Sequence, residues 1–370
     1  MKICCVFNYN SHYREPIYKS ISENFDCDFY FGDNVFTPIK SFDATKLKGF
    51  RRYLKARRTG KIIFHSGIRK IFSLKYTHYI ITGEDLIFTN WLIILFAKLT
   101  GRKVYAWAHG VKSDKLKLKT RIVQKMFFLP LDGVFMYNEY FCKYMIKLGC
   151  KKEKLHVIHN SLDTDRQTEI YDSLSPGDIY KRHFGNDYPT MIYIGRIQKI
   201  KKTAMILEAM HELAQQGIMS NLVVVGKNVD DNDFEQKIAE YKLEQNVWLY
   251  GPCFDEEKNG ELIYNADVCV SPGNVGLTSI HSLTYGTPVV TNNNFNTQMP
   301  EFEAITDGIT GSFFIEDDTH SLAESIKPWL NQPNDRREET RNAARTEIVK
   351  HWSVQSQIEV LKSVLHSKKD

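Results

Sequence analysis

The sequence predicts an α/β protein built as two doubly wound domains in series, facing each other across a cleft. Three observations carry this expectation. The chain has 370 residues, too many for one ordinary domain. Its composition, 42% hydrophobic and 25% charged, provides enough apolar material for real cores. Strand-like runs alternate along it with helix-like runs, many of ten or more residues, which argues for parallel sheets covered on both faces.

In the first half, strands are expected at 2–7, 27–31, 79–82, 103–106, 133–136 and 155–158. The intervening stretches 14–24, 86–99, 115–128 and 140–148 carry apolar residues at helical spacing. In the second half, strands are expected at 190–194, 221–225, 247–250, 268–271 and 288–291. Helices are expected at 203–216, 232–241, 256–265, 277–285 and 320–331, with a last helix in 353–369. Turn residues cluster in "SLSPGDIYKRHFGNDYP" (173–189), which marks the neighbourhood of a break between the halves. In such folds the cleft lies at the C-terminal ends of the strands.

Composition also excludes function classes. Met1-Lys2 leads straight into a strand-like run, so no secretory leader is expected. The apolar run Trp91 to Ala97 is far shorter than the ~20 residues of a bilayer span. Seven scattered cysteines without a CxxC pair argue against a disulfide scaffold or a zinc site and for a reducing cytosol. Charge is divided unevenly: residues 1–160 hold 29 Lys and Arg against 12 Asp and Glu, while 161–370 hold 20 against 32. The stretch 46–75 alone has eleven basic residues and no acidic one, interleaved with Phe50, Tyr53, Ile62, Ile63, Phe64, Ile71 and Phe72. In 112–131, Leu118, Ile122, Met126 and Leu129 form an apolar stripe beside Lys115 and Lys119. Both stretches fit docking on an anionic membrane surface, and both also fit a plainly solvated face. No nucleic-acid-binding module is present, so no nucleic acid partner is expected.

The chemistry concentrates in "SPGNVGLTSIHSLTYGTPVV" (271–290), a strand end, a glycine loop, a short helix and another strand. Glycines let backbone N–H groups approach a ligand, and a helix N-terminus favours an anion, so a phosphate suits this loop. A strand–helix turn that merely needs flexible residues suits it too. "YIGRIQKIKK" (193–202) adds Arg196 just past a strand and Lys201 five residues later, a fork and a point charge suited to a pyrophosphate.

The order "IHNSLD" (158–163), "YIGRIQKIKK", "VVVGK" (223–227), "LYGP" (249–252), the 264–290 stretch and "DGITG" (307–311) resembles the retaining glycosyltransferases of the large GT-B family four. "YAWAHG" (105–110) is similar to the family in the first half. The resemblance implies two Rossmann-like domains: an acceptor-binding one over 1–165, joined by the C-terminal helix 353–370, and a nucleotide-sugar-binding one over 166–352. It implies that Arg196 and Lys201 bind the donor diphosphate and steady the leaving nucleotide, with His109 near the reacting sugar. Asn274, Val275, Gly276, Leu277 and Thr278 would cradle phosphate or sugar. Gly195, Gly226, Lys227, Gly251 and Pro252 would line the donor site, the last four near the base. Diphosphate departure builds negative charge that two cations and a helix N-terminus stabilise without a metal.

One departure from the family stands out. Its two glutamates, spaced by seven residues, are replaced by Gly273 and His281. His281 can still hydrogen-bond a ribose hydroxyl, or serve as a satisfied core histidine; Gly273 offers no carboxylate. Glu301 and Glu303, in "QMPEFEAITDGITG", are the substitutes on offer. The Asp-x-Asp triplets at Asp26/Asp28 and Asp163/Asp165 read as surface or capping carboxylates, and no metal or other cofactor is expected beyond the nucleotide sugar as co-substrate. Asn10, His12 and Arg14, after the first strand, are candidates for acceptor contacts. The expected activity is transfer of a sugar from a nucleotide diphosphate sugar to a glycan or lipid-linked saccharide, in the cytoplasm at the inner face of a membrane, in surface polysaccharide assembly. The competing readings are a sugar-nucleotide-binding partner that has lost catalysis and a GT-B-like sugar-nucleotide epimerase.

Overall fold

The computed structural model describes residues 1–34, 39–113, 115–230 and 233–366. The chain forms two compact units, Met1–Leu162 with Val354–Asp370, and Asp163–Ser353. The turn-rich stretch 173–189 therefore lies inside the second unit. The crossing comes earlier, because Leu162-Asp163 leads directly into a helix that packs within the second unit.

In the first unit eight strands form one sheet: β1 (Ile3–Phe7), β2 (Cys27–Gly32), β3 (Phe50–Thr59), β4 (Ile62–Ser66), β5 (His78–Thr82), β6 (Lys103–Ala108), β7 (Gly133–Met136) and β8 (Leu155–Val157). The spatial order is β4-β3-β2-β1-β5-β6-β7-β8, and every pair is parallel except β3/β4. Helices α1 (Glu15–Asn24), α2 (Phe88–Leu99), α3 (Leu118–Phe128) and α4 (Cys142–Leu148) connect the strands. The period of two along a strand sorts β1 between two cores. Cys4 and Val6 join the layer of Ile93, Phe127 and Met145, while Ile3, Cys5 and Phe7 join that of Ile17, Tyr18 and Ile21. The second layer is completed by Val354, Ile358 and Leu361 of the C-terminal helix Val354–Leu365.

The basic stretch 46–75 holds an antiparallel hairpin at the sheet edge, paired from Lys55↔Ser66 to Thr59↔Ile62. Sequence reading missed it, because the dense Arg and Lys hide its period. Of the apolar residues lent to a surface there, Ile71 is fully buried and Phe50, Tyr53 and Phe72 pack against cores. Ile62 and Phe64 remain exposed. The α3 stripe is outward-facing: Leu118 is 73% and Met126 61% exposed, with Ile122 and Leu129 also exposed. Position 114, within the second basic stretch, lies outside the described residues.

The second unit holds a wholly parallel six-stranded sheet: β9 (Thr190–Ile194), β10 (Asn221–Val225), β11 (Val247–Leu249), β12 (Val268–Ser271), β13 (Val289–Asn292) and β14 (Gly311–Phe314). Its order is β11-β10-β9-β12-β13-β14. The helices are α5 (Thr164–Ser173), α6 (Ile179–Phe184), α7 (Ala204–Gln215), α8 (Asp233–Glu240), α9 (Glu256–Asn265), α10 (Leu277–Thr284), α11 (Thr319–Ile326) and α12 (Asn334–His351). The Val354–Leu365 helix, α13, follows α12 and returns the chain to the first unit. The helix expected over 320–331 stops at Ile326, where Pro328 cannot donate and the chain tightens into a 3₁₀ turn. The expected helix start at 232 and the end of the last helix at 367–369 lie outside the described residues.

Candidate functional site

Strand order reverses between β9 and β12, so the loops after these two strands diverge and open a crevice at the sheet's C-terminal edge. That edge carries Gly195-Arg196 after β9 and Pro272 to Gly276 after β12. A chain of backbone contacts fixes it. The Gly195 N–H donates to Val225 (2.9 Å), the Gly226 N–H to Gly251 (3.0 Å), and the Ile197 N–H to Lys227 (3.0 Å). A Cβ on Gly226 would overlap the Gly195 carbonyl, so glycine is required there for close approach. The Thr278 hydroxyl donates to Ile194 (3.0 Å) and ties α10 to the end of β9. Arg196, Lys227 and Pro252 are exposed along this edge.

Lys201 ends a 3₁₀ turn, and its ammonium donates to both the carbonyl and the side-chain oxygen of Asn274, each at 2.6 Å. Burial pushes its pKa down to about 8, with the Glu301 carboxylate opposing and Arg196 reinforcing the shift. The two loops are also joined through backbone: the Gly273 N–H donates to Lys201 (2.9 Å). A Cβ at 273 would overlap the Ile200 carbonyl and lie 2.6 Å from Lys201 Cα. Position 273 therefore has no room for a side chain without a shift of the 200–201 backbone.

Gln298 clamps the glycine loop from below. Its amide nitrogen donates to Gly273 (3.2 Å), Thr291 (3.0 Å) and Asn292 (3.1 Å), and its oxygen accepts the Val275 N–H (2.8 Å). The Val275 amide, expected to hold phosphate, is thus engaged by protein. Glycine at 276 is required by φ 56°, and it opens α10 at Leu277. Glu301, on the turn after β13, is buried beside this loop, and its carbonyl accepts the Ser279 hydroxyl (2.8 Å).

His281 does not stand alone on α10. Its Nε2 meets Glu256 Oε1 at 2.8 Å. Tyr285 and Gln167 donate to the same oxygen at 2.9 Å each. Burial alone would raise the Glu256 pKa; His281, Gln167 and Tyr285 hold it down at about 2. Sequence reading missed Glu256 and Gln298, since neither sits in a motif and both act through partners distant in sequence.

The first unit holds the remaining candidates. The ring of His109, after β6, lies 4.5 Å from that of Tyr137, and its Nδ1 is buried without a hydrogen-bond partner among the described residues. Burial, then the Lys112 and Arg14 charges, push its pKa down to about 3, so the imidazole is neutral. The Arg14 guanidinium donates to the Tyr137 hydroxyl and lies over the Trp107 and Tyr137 rings, at 5.7 and 5.2 Å. Asn10 is buried and donates to the Phe42 carbonyl, so it pins the 39–42 stretch and is not presented to an acceptor. His12 is exposed, with Nδ1 3.3 Å from the Lys40 carbonyl. Glu84, at the β1/β5 switch point, accepts from Asn8 (2.8 Å) and went unnoticed in "ITGED". Asp28, read from sequence as a surface carboxylate, is fully buried and bonded to Lys2, Arg51, Lys75 and Tyr76. Among the described residues no cluster of three or more His, Cys, Asp or Glu could hold a metal.

With this geometry in view, the chain can be set beside known proteins. Residues 178–347 match the glycosyl transferases group 1 family. The match covers the crevice, its cations and the glycine loop. Alpha-D-kanosaminyltransferase of Streptomyces kanamyceticus is 25% identical over 179 residues, 47% of this chain. That stretch spans 45% of the relative, so the chain is matched over about half of the relative's length. Among solved structures, Anabaena Alr3699/HepE in complex with UDP superposes with a TM-score of 0.76 at 16% identity over 100% of both chains. A glycosyltransferase from Rickettsia africae ESF-5 gives 0.73 at 15% identity over 100% of this chain and 99% of the other. The fold is GT-B, with two Rossmann-like units.

Proposed function

We propose that the protein is a retaining glycosyltransferase that moves a sugar from a nucleotide diphosphate sugar to a glycan or lipid-linked saccharide in surface polysaccharide assembly. One observation carries the reading. A half-buried lysine bonded to Asn274, an exposed arginine and a glycine loop meet at the switch point of a parallel sheet, inside the segment that matches group 1 glycosyltransferases. The likeness to the UDP complex of HepE supports a nucleotide donor. Arg196 and Lys201 take the diphosphate and stabilise the charge it gains on leaving, without a metal. Glu301 takes donor-sugar hydroxyls in place of the carboxylate that position 273 cannot carry. His109, neutral and with no partner for Nδ1 among the described residues, meets the reacting sugar. Arg14 and Glu84 contribute to the acceptor side. The basic first unit docks on anionic lipid at the cytoplasmic face; among the described residues no helix is long and apolar enough to cross a membrane.

A thermal-shift screen against UDP, GDP, ADP, CMP and their sugars, with and without EDTA, tests this. Binding to the native state alone raises the melting temperature. A shift with one nucleotide class, unchanged by EDTA and lost in Arg196→Ala, is expected; no shift with any nucleotide overturns the reading. NMR of the product's anomeric proton tests retention. A second reading, nucleotide-sugar binding without transfer, is favoured by the closed space at Gly273. Turnover of the bound donor in the presence of acceptor lipid extract excludes it.

A further inference from the structure

Glu256 is the first residue of α9, capped by Asp255, whose carboxylate accepts from the Glu257 (3.0 Å) and Lys258 (3.3 Å) N–H groups. The three side chains that hold Glu256 come from two other helices, Gln167 from α5 and His281 and Tyr285 from α10, and all three bond to Oε1. The side chain remains 24% exposed. Oε1 therefore carries all three bonds, and among the described residues no side chain is bonded to Oε2. Helix α9 follows β11 and α10 follows β12, both strands of one parallel sheet. Both helices consequently start at the sheet's C-terminal edge, the edge that carries Arg196, Lys201 and the glycine loop.

An ionised carboxylate at such an edge repels phosphate. Its complement is a hydroxyl donor attached to the phosphates, and a carboxylate oxygen accepts vicinal hydroxyls well. Labour at the edge divides by sign: cations and amides for the diphosphate, the held carboxylate for a diol. We propose that Glu256 Oε2 binds the 2′,3′-diol of the donor's ribose, with His281, Tyr285 and Gln167 as positioning residues that fix the carboxylate. This rests on the nucleotide-sugar reading above. It assigns the ribose contact to α9, with His281 as holder of that carboxylate.

The test compares UDP with 2′,3′-dideoxy-UDP by calorimetry, using wild type and Glu256→Gln. UDP lacks a transferred sugar, so only the ribose is probed. Wild type is expected to bind UDP at least ~10-fold more tightly than the dideoxy analogue, in keeping with hydrogen bonds to a charged acceptor. Glu256→Gln is expected to bind both equally, at the affinity wild type shows for the analogue. Glu256→Asp, which keeps the charge and withdraws the oxygen, is expected to lose most of the preference and serves if the Gln variant fails to fold. An undiminished preference in the variants, or none in wild type, overturns the assignment. Binding of GDP but not UDP moves the comparison to GDP and its dideoxy analogue. Binding of no nucleoside diphosphate by wild type overturns the nucleotide-sugar reading itself and this assignment with it.

Discussion

The Lys201 ammonium rests on Asn274 with its pKa drawn down to about 8 by burial. A folded-state value below the ordinary lysine range means that the unfolded chain binds more protons between the two. Stability of the empty protein therefore rises with pH from about 8 toward the usual lysine range. Diphosphate favours the charged form, so its affinity holds below pH 8 and falls above it, by about tenfold at pH 9 relative to pH 7. Calorimetry across this range checks both the fall and the proton uptake, and Lys201→Ala flattens the profile. Gly273 gives a second residue-scale expectation. Gly273→Glu does not restore the family carboxylate, because Cβ meets backbone on the 199–202 turn; it destabilises by about 1–3 kcal/mol, read from thermal melts. Gln298→Leu leaves the buried Val275 N–H without its acceptor, while the Gly273 carbonyl keeps Thr291 and Asn292, and lowers stability by about 1–3 kcal/mol, checked by denaturant unfolding. The placement of Arg196, Lys201 and the glycine loop at strand ends was legible because residue type and spacing after strands mark it. Gln298 and Glu256 were not, since a glutamine or glutamate declares its role only through the groups it touches. Asn10 misled for the same reason: the sequence places it after a strand but hides its bond to Phe42.

Among the elements, the parallel strands were read closely because each is a short apolar run bounded by turns. The β3/β4 hairpin escaped because its basic residues break the alternation, and α12 escaped because it is polar on nearly every face. α2 carries a consequence the basic stretches alone did not reveal. Its Phe88, Leu95 and Leu99 are exposed, Phe64 of β4 lies 5.3 Å from Phe88, and Trp91 packs on Phe127 of α3. The first unit thus exposes apolar residues on α2 and β4 as well as on α3, while the Trp91–Phe127 contact anchors α2 to the core side of α3. Such a surface suits lipid, with the cations at headgroup level. Ile122→Glu with Met126→Glu is expected to abolish sedimentation with phosphatidylglycerol vesicles while changing stability by only about 0.5 kcal/mol, as for exposed positions. Unchanged sedimentation would remove α3 from the docking face.

At the scale of the molecule, the chain leaves the first unit at Leu162, completes the second unit, and returns at Val354. The returning helix supplies Val354, Ile358, Leu361, Val364 and Leu365 to the core layer behind β1. Each buried aliphatic of this size contributes about 1.5–3 kcal/mol, so a chain ending at Ser353 exposes more apolar surface than a domain of ordinary stability tolerates. Calorimetric scanning of that truncation is expected to show the first unit's transition lowered or lost and the second unit's retained. The same connectivity orders events during synthesis. The second unit is a continuous run, so every residue it needs has been made before the C-terminal helix emerges. The first unit begins earlier but has to wait, its β1 aromatic layer open on one side while some 190 further residues are translated. The domain that starts first is the one that finishes last, and for that interval its unfinished face is the part of the nascent chain most in need of a chaperone.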